Sequence, residues 1–132
     1  MFKDENAFLS FSVNDLQIAK KFYSQTLELD VTENREGLEL KIPGGGKAFL
    51  YPKPNHQPAT FTVLNFVVKD VEQAVDDLTK RGIRMEQYHQ GDIETDARGI
   101  FHGQDKNMGP NIAWFKDPAG NILSVVAQKK AA

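Results

Sequence analysis

Residues 62–82, T-V-L-N-F-V-V-K-D-V-E-Q-A-V-D-D-L-T-K-R-G, constrain this chain more than any other stretch. The run opens with β-branched and aromatic residues, which suit a strand. Asp70 then stands at a helix N-cap position, and Gln73 follows at capping-box spacing. Val71, Ala74, Val75 and Leu78 form one apolar stripe at helical spacing. Gly82 sits where a glycine ends a helix. The stretch therefore reads as strand, tight turn, helix and stop. An earlier segment repeats it: Phe11, Val13, Asp15, Leu16 and Ala19 stand 55 positions before Phe66, Val68, Asp70, Val71 and Ala74. A single repeat with a period close to half the chain indicates a duplicated module.

At 132 residues the chain has the length of one domain. A net charge of −2 and the lack of a basic run give no footprint for nucleic acid or an anionic membrane. There is no cysteine, which excludes disulfides, thiolate metal ligands and a cysteine nucleophile. The first residues, M-F-K-D-E-N, have no apolar signal core, and no apolar run approaches the length of a membrane span. A cytoplasmic protein is expected.

In chain order, strands are expected at 7–13, 38–42 and 47–51, with Pro43-Gly44-Gly45-Gly46 as a hairpin turn. Asn14 or Asp15 caps a first helix whose stripe is Leu16, Ala19, Phe22, Tyr23 and Leu27. The segment P-K-P-N-H-Q-P holds three prolines in seven residues, so it cannot be a helix or a central strand. It reads as the linker, residues 52–59, between halves at 7–51 and 60–127. Further strands are expected at 60–68, 84–89, 111–115 and 122–127, with a second helix reaching about Arg81 and a frayed tail from Gln128. Residues 90–110 are polar and glycine-bearing, a functional or mobile loop in which 99–101 form a short strand. Each half is thus βαβββ, which defines an α+β fold with helices on one face of each sheet.

Three segments carry a family resemblance: F-S-V-N-D-L-Q-I-A-K-K-F-Y, its echo F-V-V-K-D-V-E-Q-A-V-D-D-L, and F-K-D-P-A-G-N-I-L-S-V. Together they resemble the vicinal oxygen chelate superfamily, the glyoxalase, bleomycin-resistance and extradiol-dioxygenase group, over essentially the whole chain. The resemblance implies two tandem βαβββ modules on curved mixed sheets, and a homodimer. It does not fix an activity, because the superfamily hosts isomerases, transferases, dioxygenases and drug-sequestering proteins. In metal-dependent members it implies ligands at four positions, held here by Phe8, Val63, Ser124 and either Leu50 or Tyr51. None is a histidine, glutamine or carboxylate, so no metal and no other cofactor is expected. His56, His89 and His102, with the acids at Asp92, Glu94, Asp96 and Asp105, read as solvated loop residues and not as a relocated site.

Period-two alternation turns Leu9, Phe11 and Val13 toward the helix of the first half, and Phe8, Ser10 and Ser12 away from it. In the second half the outward set is Val63, Asn65 and Val67. With Tyr51, Trp114 and Ser124 these give an expected lining of Phe8, Ser10, Ser12, Tyr51, Val63, Asn65, Trp114 and Ser124. It is mostly apolar, with a few polar groups and aromatic walls, as suits a small organic ligand. Tyr51, Glu86 and His89 are the acid–base candidates, but none has a recognisable partner in sequence, so no residue is assigned a catalytic role. Arg98 reads as solvated. The reading is a metal-free small-molecule-binding protein. The alternatives are a glyoxalase-like lyase or isomerase or a dioxygenase-type enzyme, and an interaction subunit without a ligand.

Overall fold

A computed structural model of the chain describes residues 1–128; of the tail expected from Gln128, residues 129–132 lie outside the described residues. The chain divides into two compact units. The first is Met1–Pro58 with Asp117–Gly120, and the second is Ala59–Lys116 with the chain from Asn121.

The first unit contains β1 (Leu9–Val13), α1 (Leu16–Lys21), a π-helical turn (Phe22–Thr26), β2 (Val31–Glu33), β3 (Leu38–Lys41) and β4 (Lys47–Pro52). Its sheet order is β1-β4-β3-β2, with β1 parallel to β4 and the other pairs antiparallel. The second unit contains β5 (Thr62–Val68), α2 (Val71–Lys80), β6 (His89–Gln90), β7 (Ile93–Glu94), β8 (Ile100–Phe101), β9 (Ile112–Lys116) and β10 (Ile122–Ala127). Its main sheet repeats the order as β5-β10-β9-β8, again with the first strand parallel to the last. β6 and β7 form a separate two-stranded ribbon. The duplicated sequence therefore folds twice into the same four-stranded mixed sheet. No helix among the described residues is long and apolar enough to cross a membrane.

The two strand-to-helix junctions share one geometry. Asp15 (φ −137°, ψ 111°) accepts from the Ile18 N–H, and Asp70 (φ −136°, ψ 106°) accepts from the Gln73 N–H, both at 3.1 Å. The second half of the expected capping box does not form, because the Gln73 amide donates to Asp77 one turn on. At the far end of α2, Gly82 has φ +88° and donates to the Thr79 carbonyl, while Ile83 donates to that of Leu78. That pair of bonds is a Schellman stop, and it needs a residue at C′ that tolerates positive φ.

Alternation decides what each sheet buries. In the first unit Phe11, Val13, Leu38, Leu40, Ala48 and Leu50 form the buried row, with α1 lying on β4. In the second, Leu64, Ile100, Ala113, Phe115, Leu123 and Val125 do so, with α2 on β9 and β10. Leu9 departs from its expected place in the core and is 40% exposed, because it begins β1 at the end away from α1. The expected strand at 84–89 is reduced to its last residue. Its residues make only two separated ladder-like bonds, from the Glu86 N–H to the Trp114 carbonyl and from the Thr95 N–H to the Tyr88 carbonyl.

α1 ends earlier than its apolar stripe suggests and widens into the π turn, where the Leu27 N–H bonds the Phe22 carbonyl. The wider turn keeps Tyr23 fully buried, edge-on to Phe11 and Phe22. Its hydroxyl donates to Asp117 Oδ2 at 2.6 Å, also within the first unit. Burial, then the Asp117 charge and the hydrogen bond to it, push the phenol far above its ordinary value of 10.0. Because the folded value is the raised one, this contribution is complete below pH 10.0 and is lost as pH rises beyond it. Tyr23→Phe is expected to lower stability at neutral pH by about 2 kcal/mol. It should also flatten the alkaline fall in stability. Urea unfolding across that pH range checks both; equal alkaline sensitivity in the two proteins would contradict the assignment.

Candidate functional site

On the first unit's sheet, the face opposite α1 is polar and aromatic. Ser10 pairs with Phe49 and Ser12 with Tyr51 across the β1–β4 register. The Phe49 and Tyr51 rings stack, with centroids 6.4 Å apart and planes 18° from parallel. Phe8, two residues before Ser10, is 70% exposed. His56 was expected to be solvated, but it is half-buried and bonded at both ring nitrogens. Nδ1 lies 2.6 Å from Ser12 Oγ and Nε2 lies 2.9 Å from the Ala119 carbonyl oxygen. The prolines flanking it fix a turn that returns His56 to the sheet, with its own N–H on the Lys53 carbonyl.

The second unit's corresponding face holds Asn65, Ser124 and Trp114, which are cross-strand neighbours. Ser124 is buried and Asn65 is exposed. The Ser124 hydroxyl donates to Asn65 Oδ1 at 2.5 Å. With Oδ1 taken by the serine, the amide nitrogen is the Asn65 group that Ser124 does not engage. Trp114 donates through Nε1 to Thr62 Oγ1 at 3.1 Å and meets Tyr88 edge-on at 5.3 Å. Burial, with the neighbouring Glu86 charge, raises the Tyr88 phenol above its ordinary value of 10.0. The β5–β10 register skips Val63, which is the extra residue of a bulge. The bulge brings Thr62 to the Trp114 side. Val67 is 67% exposed.

Thus Phe8, Ser10, Ser12 and Tyr51 share the first unit's open face, and Asn65, Trp114 and Ser124 that of the second, with Val63 at its bulged edge. Sequence reading missed Phe49, Tyr88, Thr62 and the role of His56. Phe49 was within reach, since K-A-F-L-Y alternates Phe49 with Tyr51 on one face. A separate open groove of about 920 Å³ runs past the start of α2 and residues 104–111, and none of the eight expected residues lines it.

A family model for the Glyoxalase/Bleomycin resistance protein/Dioxygenase superfamily matches residues 7–125, and the chain belongs to that superfamily. No curated protein matches the chain. Among solved structures, a glyoxalase family protein from Enterococcus faecalis is 21% identical, with a TM-score of 0.66 and coverage of 96% of this chain and 99% of that one. The fosfomycin resistance protein FosX from Listeria monocytogenes is 12% identical, with a TM-score of 0.67 over 96% and 94%. TnmS3, an antibiotic binding protein from Streptomyces sp. CB03234, is 21% identical, with a TM-score of 0.62 over 96% and 98%. At these identities the likeness is one of fold.

The superfamily implies a divalent metal in some members, and the residues at the four implied positions do not fit one. Phe8 and Val63 have no donor atom, and the Ser124 hydroxyl is spent on Asn65. Leu50 points into the buried row, so Tyr51 is the residue of that pair on the open face. Among the described residues no three histidines or carboxylates come together as a metal-binding group.

Asp96, Arg98 and His102 of the long loop are tied into structure, whereas Asp92, Glu94 and Asp105 are exposed. Asp96 accepts from the N–H groups of Arg98 and Ile100 at 2.8 and 3.0 Å, and from His102 Nε2 at 2.7 Å. Arg98 reaches Glu72 and Asp76 on α2, with N···O distances of 3.2 and 2.6 Å. His89 pairs with Glu94 across the β6–β7 ribbon. Arg98 is therefore a loop-to-helix clasp.

Partial burial opposes the Asp96 charge, but the bonds from His102, Ile100 and Arg98 outweigh it and lower the carboxyl below its ordinary value of 3.8. The contribution of these Asp96 bonds is complete above pH 3.8 and is lost as pH falls through the lower folded value. The protection factor of the Ile100 N–H against hydrogen exchange should fall below about pH 4 in the wild type. In Asp96→Ala it should already be low at neutral pH; unchanged protection in that variant would contradict the role given to Asp96.

Proposed function

We propose that this protein binds a small, partly aromatic organic molecule on the open faces of its sheets, and does so without a divalent ion. One observation supports this most strongly. Asn65, an exposed amide in the middle of a strand, is held by a buried serine whose other cross-strand neighbour is Trp114, itself edge-on to Tyr88. An amide fixed through its oxygen presents a directed donor, and the two rings supply flat apolar area at little entropic cost. A packing role explains Trp114 alone, but not an exposed amide locked in one orientation. The antibiotic-binding description of TnmS3 fits this reading. The reading takes the two units as halves of one domain, divided at the 52–59 linker, in a cytoplasmic homodimer. The donors at the implied metal positions disfavour a metal-dependent lyase, isomerase or dioxygenase.

Trp114 is the only tryptophan, so its fluorescence reports the second face directly. Titration with a panel of aromatic and polycyclic small molecules should find saturable quenching by at least one of them. Asn65→Ala should weaken that binding roughly 2- to 10-fold, the loss of one hydrogen bond, with little change in melting temperature. A variant that melts much lower yet binds normally would refute the role given to Asn65. Conversion of the bound molecule to product would move the reading to an enzyme.

A further inference from the structure

We propose that Ser12 and His56 form a nucleophile–base pair able to cleave activated aryl esters. The binding reading rests on Asn65 and Trp114 and this one on Ser12 and His56, so either can fail alone. The geometry assigns the protons. A carbonyl oxygen only accepts, so His56 Nε2 holds a hydrogen directed at the Ala119 carbonyl, 2.9 Å away. In the neutral ring Nδ1 then carries a lone pair, and the Ser12 hydroxyl, 2.6 Å from it, is the donor. That is a serine bonded to a base whose other nitrogen is fixed by a third group, the arrangement that activates a hydroxyl for attack. A carbonyl takes the orienting place that a carboxylate holds in serine hydrolases. It is itself held, because the Ala119 N–H bonds to Asp117 Oδ1 at 3.0 Å in the same turn.

The site is reachable. Ser12 is half-exposed on the open face, beside Tyr51 in the register and next to the stacked Phe49–Tyr51 pair. Those rings favour an aryl group on the substrate, and a phenolate leaves readily enough that the weaker orienting group suffices. In the step, Ser12 Oγ bonds to the ester carbonyl carbon while its proton passes to His56 Nδ1. The tetrahedral adduct then expels the aryl oxide, which takes that proton, and leaves an acyl ester on Ser12. Water, giving a proton to Nδ1, hydrolyses the acyl group as the acid and restores the hydroxyl. No oxidant, reductant or metal is needed for the balance.

The wild-type protein supplies its own control, because Ser10 lies on the same strand and face, is more exposed, and is not the serine that meets His56. Treatment of the full chain with an alkyl fluorophosphonate, followed by peptide mass mapping, should place the stable adduct on Ser12 and not on Ser10. The folded protein should also release nitrophenolate from p-nitrophenyl acetate. Both Ser12→Ala and His56→Ala should lower that rate roughly 100-fold or more, the usual worth of a positioned base. Thermal melts verify that the variants fold. Failure to label Ser12, equal labelling of Ser10, or full ester cleavage by folded Ser12→Ala would each overturn the proposal. The labelling result decides the matter even where a variant does not fold.

Discussion

Everything on the open faces depends on an aspartate at the exit of a strand. Asp15 and Asp70 leave β1 and β5 with nearly identical backbone angles, and each caps the helix that follows. The cap itself is worth only about 1 kcal/mol. Its consequence is geometric: the chain turns at once, and the helix lies back on one face of its own sheet. Alternation then sends six apolar side chains of each sheet under that helix. The opposite face of each sheet is released from the need to build a core. Serines, an asparagine and half-exposed rings are tolerated there for that reason.

The D-P-A-G-N turn is a second point of dependence in the first unit. Asp117 bonds the N–H of Ala119 within the turn and the hydroxyl of Tyr23, which is 94 positions earlier. The Ala119 carbonyl in turn fixes His56. One turn therefore anchors the π-helical end of α1 and orients the imidazole beside Ser12. The motif most typical of the superfamily resemblance serves here as a structural hub. The position seven residues later, where the resemblance implies a glutamate, is Ser124, whose hydroxyl is committed to Asn65.

Much of this architecture was legible in the sequence where local pattern and tertiary packing agree. The strand–aspartate–helix repeat, the Gly82 stop and the closing strand at Ile122–Ala127 all follow from spacing alone. The failures fall where distant contacts override local pattern. Residues 84–89 read as a strand but find only two separated ladder bonds, with Trp114 and Thr95. The π turn after Lys21 is set by the buried Tyr23–Asp117 bond, which no local window contains. His56 and Arg98 look solvated because their partners lie 44 to 63 and 22 to 26 positions away. Of the candidate site, alternation separated the open face from the buried one, but the Val63 bulge, Tyr88 and the locked orientation of Asn65 needed the register across strands.

The central claim is that these faces act through hydrogen bonds, aromatic surface and a serine–imidazole pair, without a divalent ion. At the four positions where the resemblance implies metal ligands stand Phe8, Val63, Ser124, whose hydroxyl is engaged by Asn65, and Leu50 or Tyr51. Elemental analysis of the untagged protein, after incubation with Zn²⁺, Mn²⁺, Ni²⁺ and Fe²⁺ and removal of free ions, tests this most directly. The account predicts near-zero metal per chain after each incubation. About one tightly held ion per chain would contradict it and return metal-dependent chemistry to the fold.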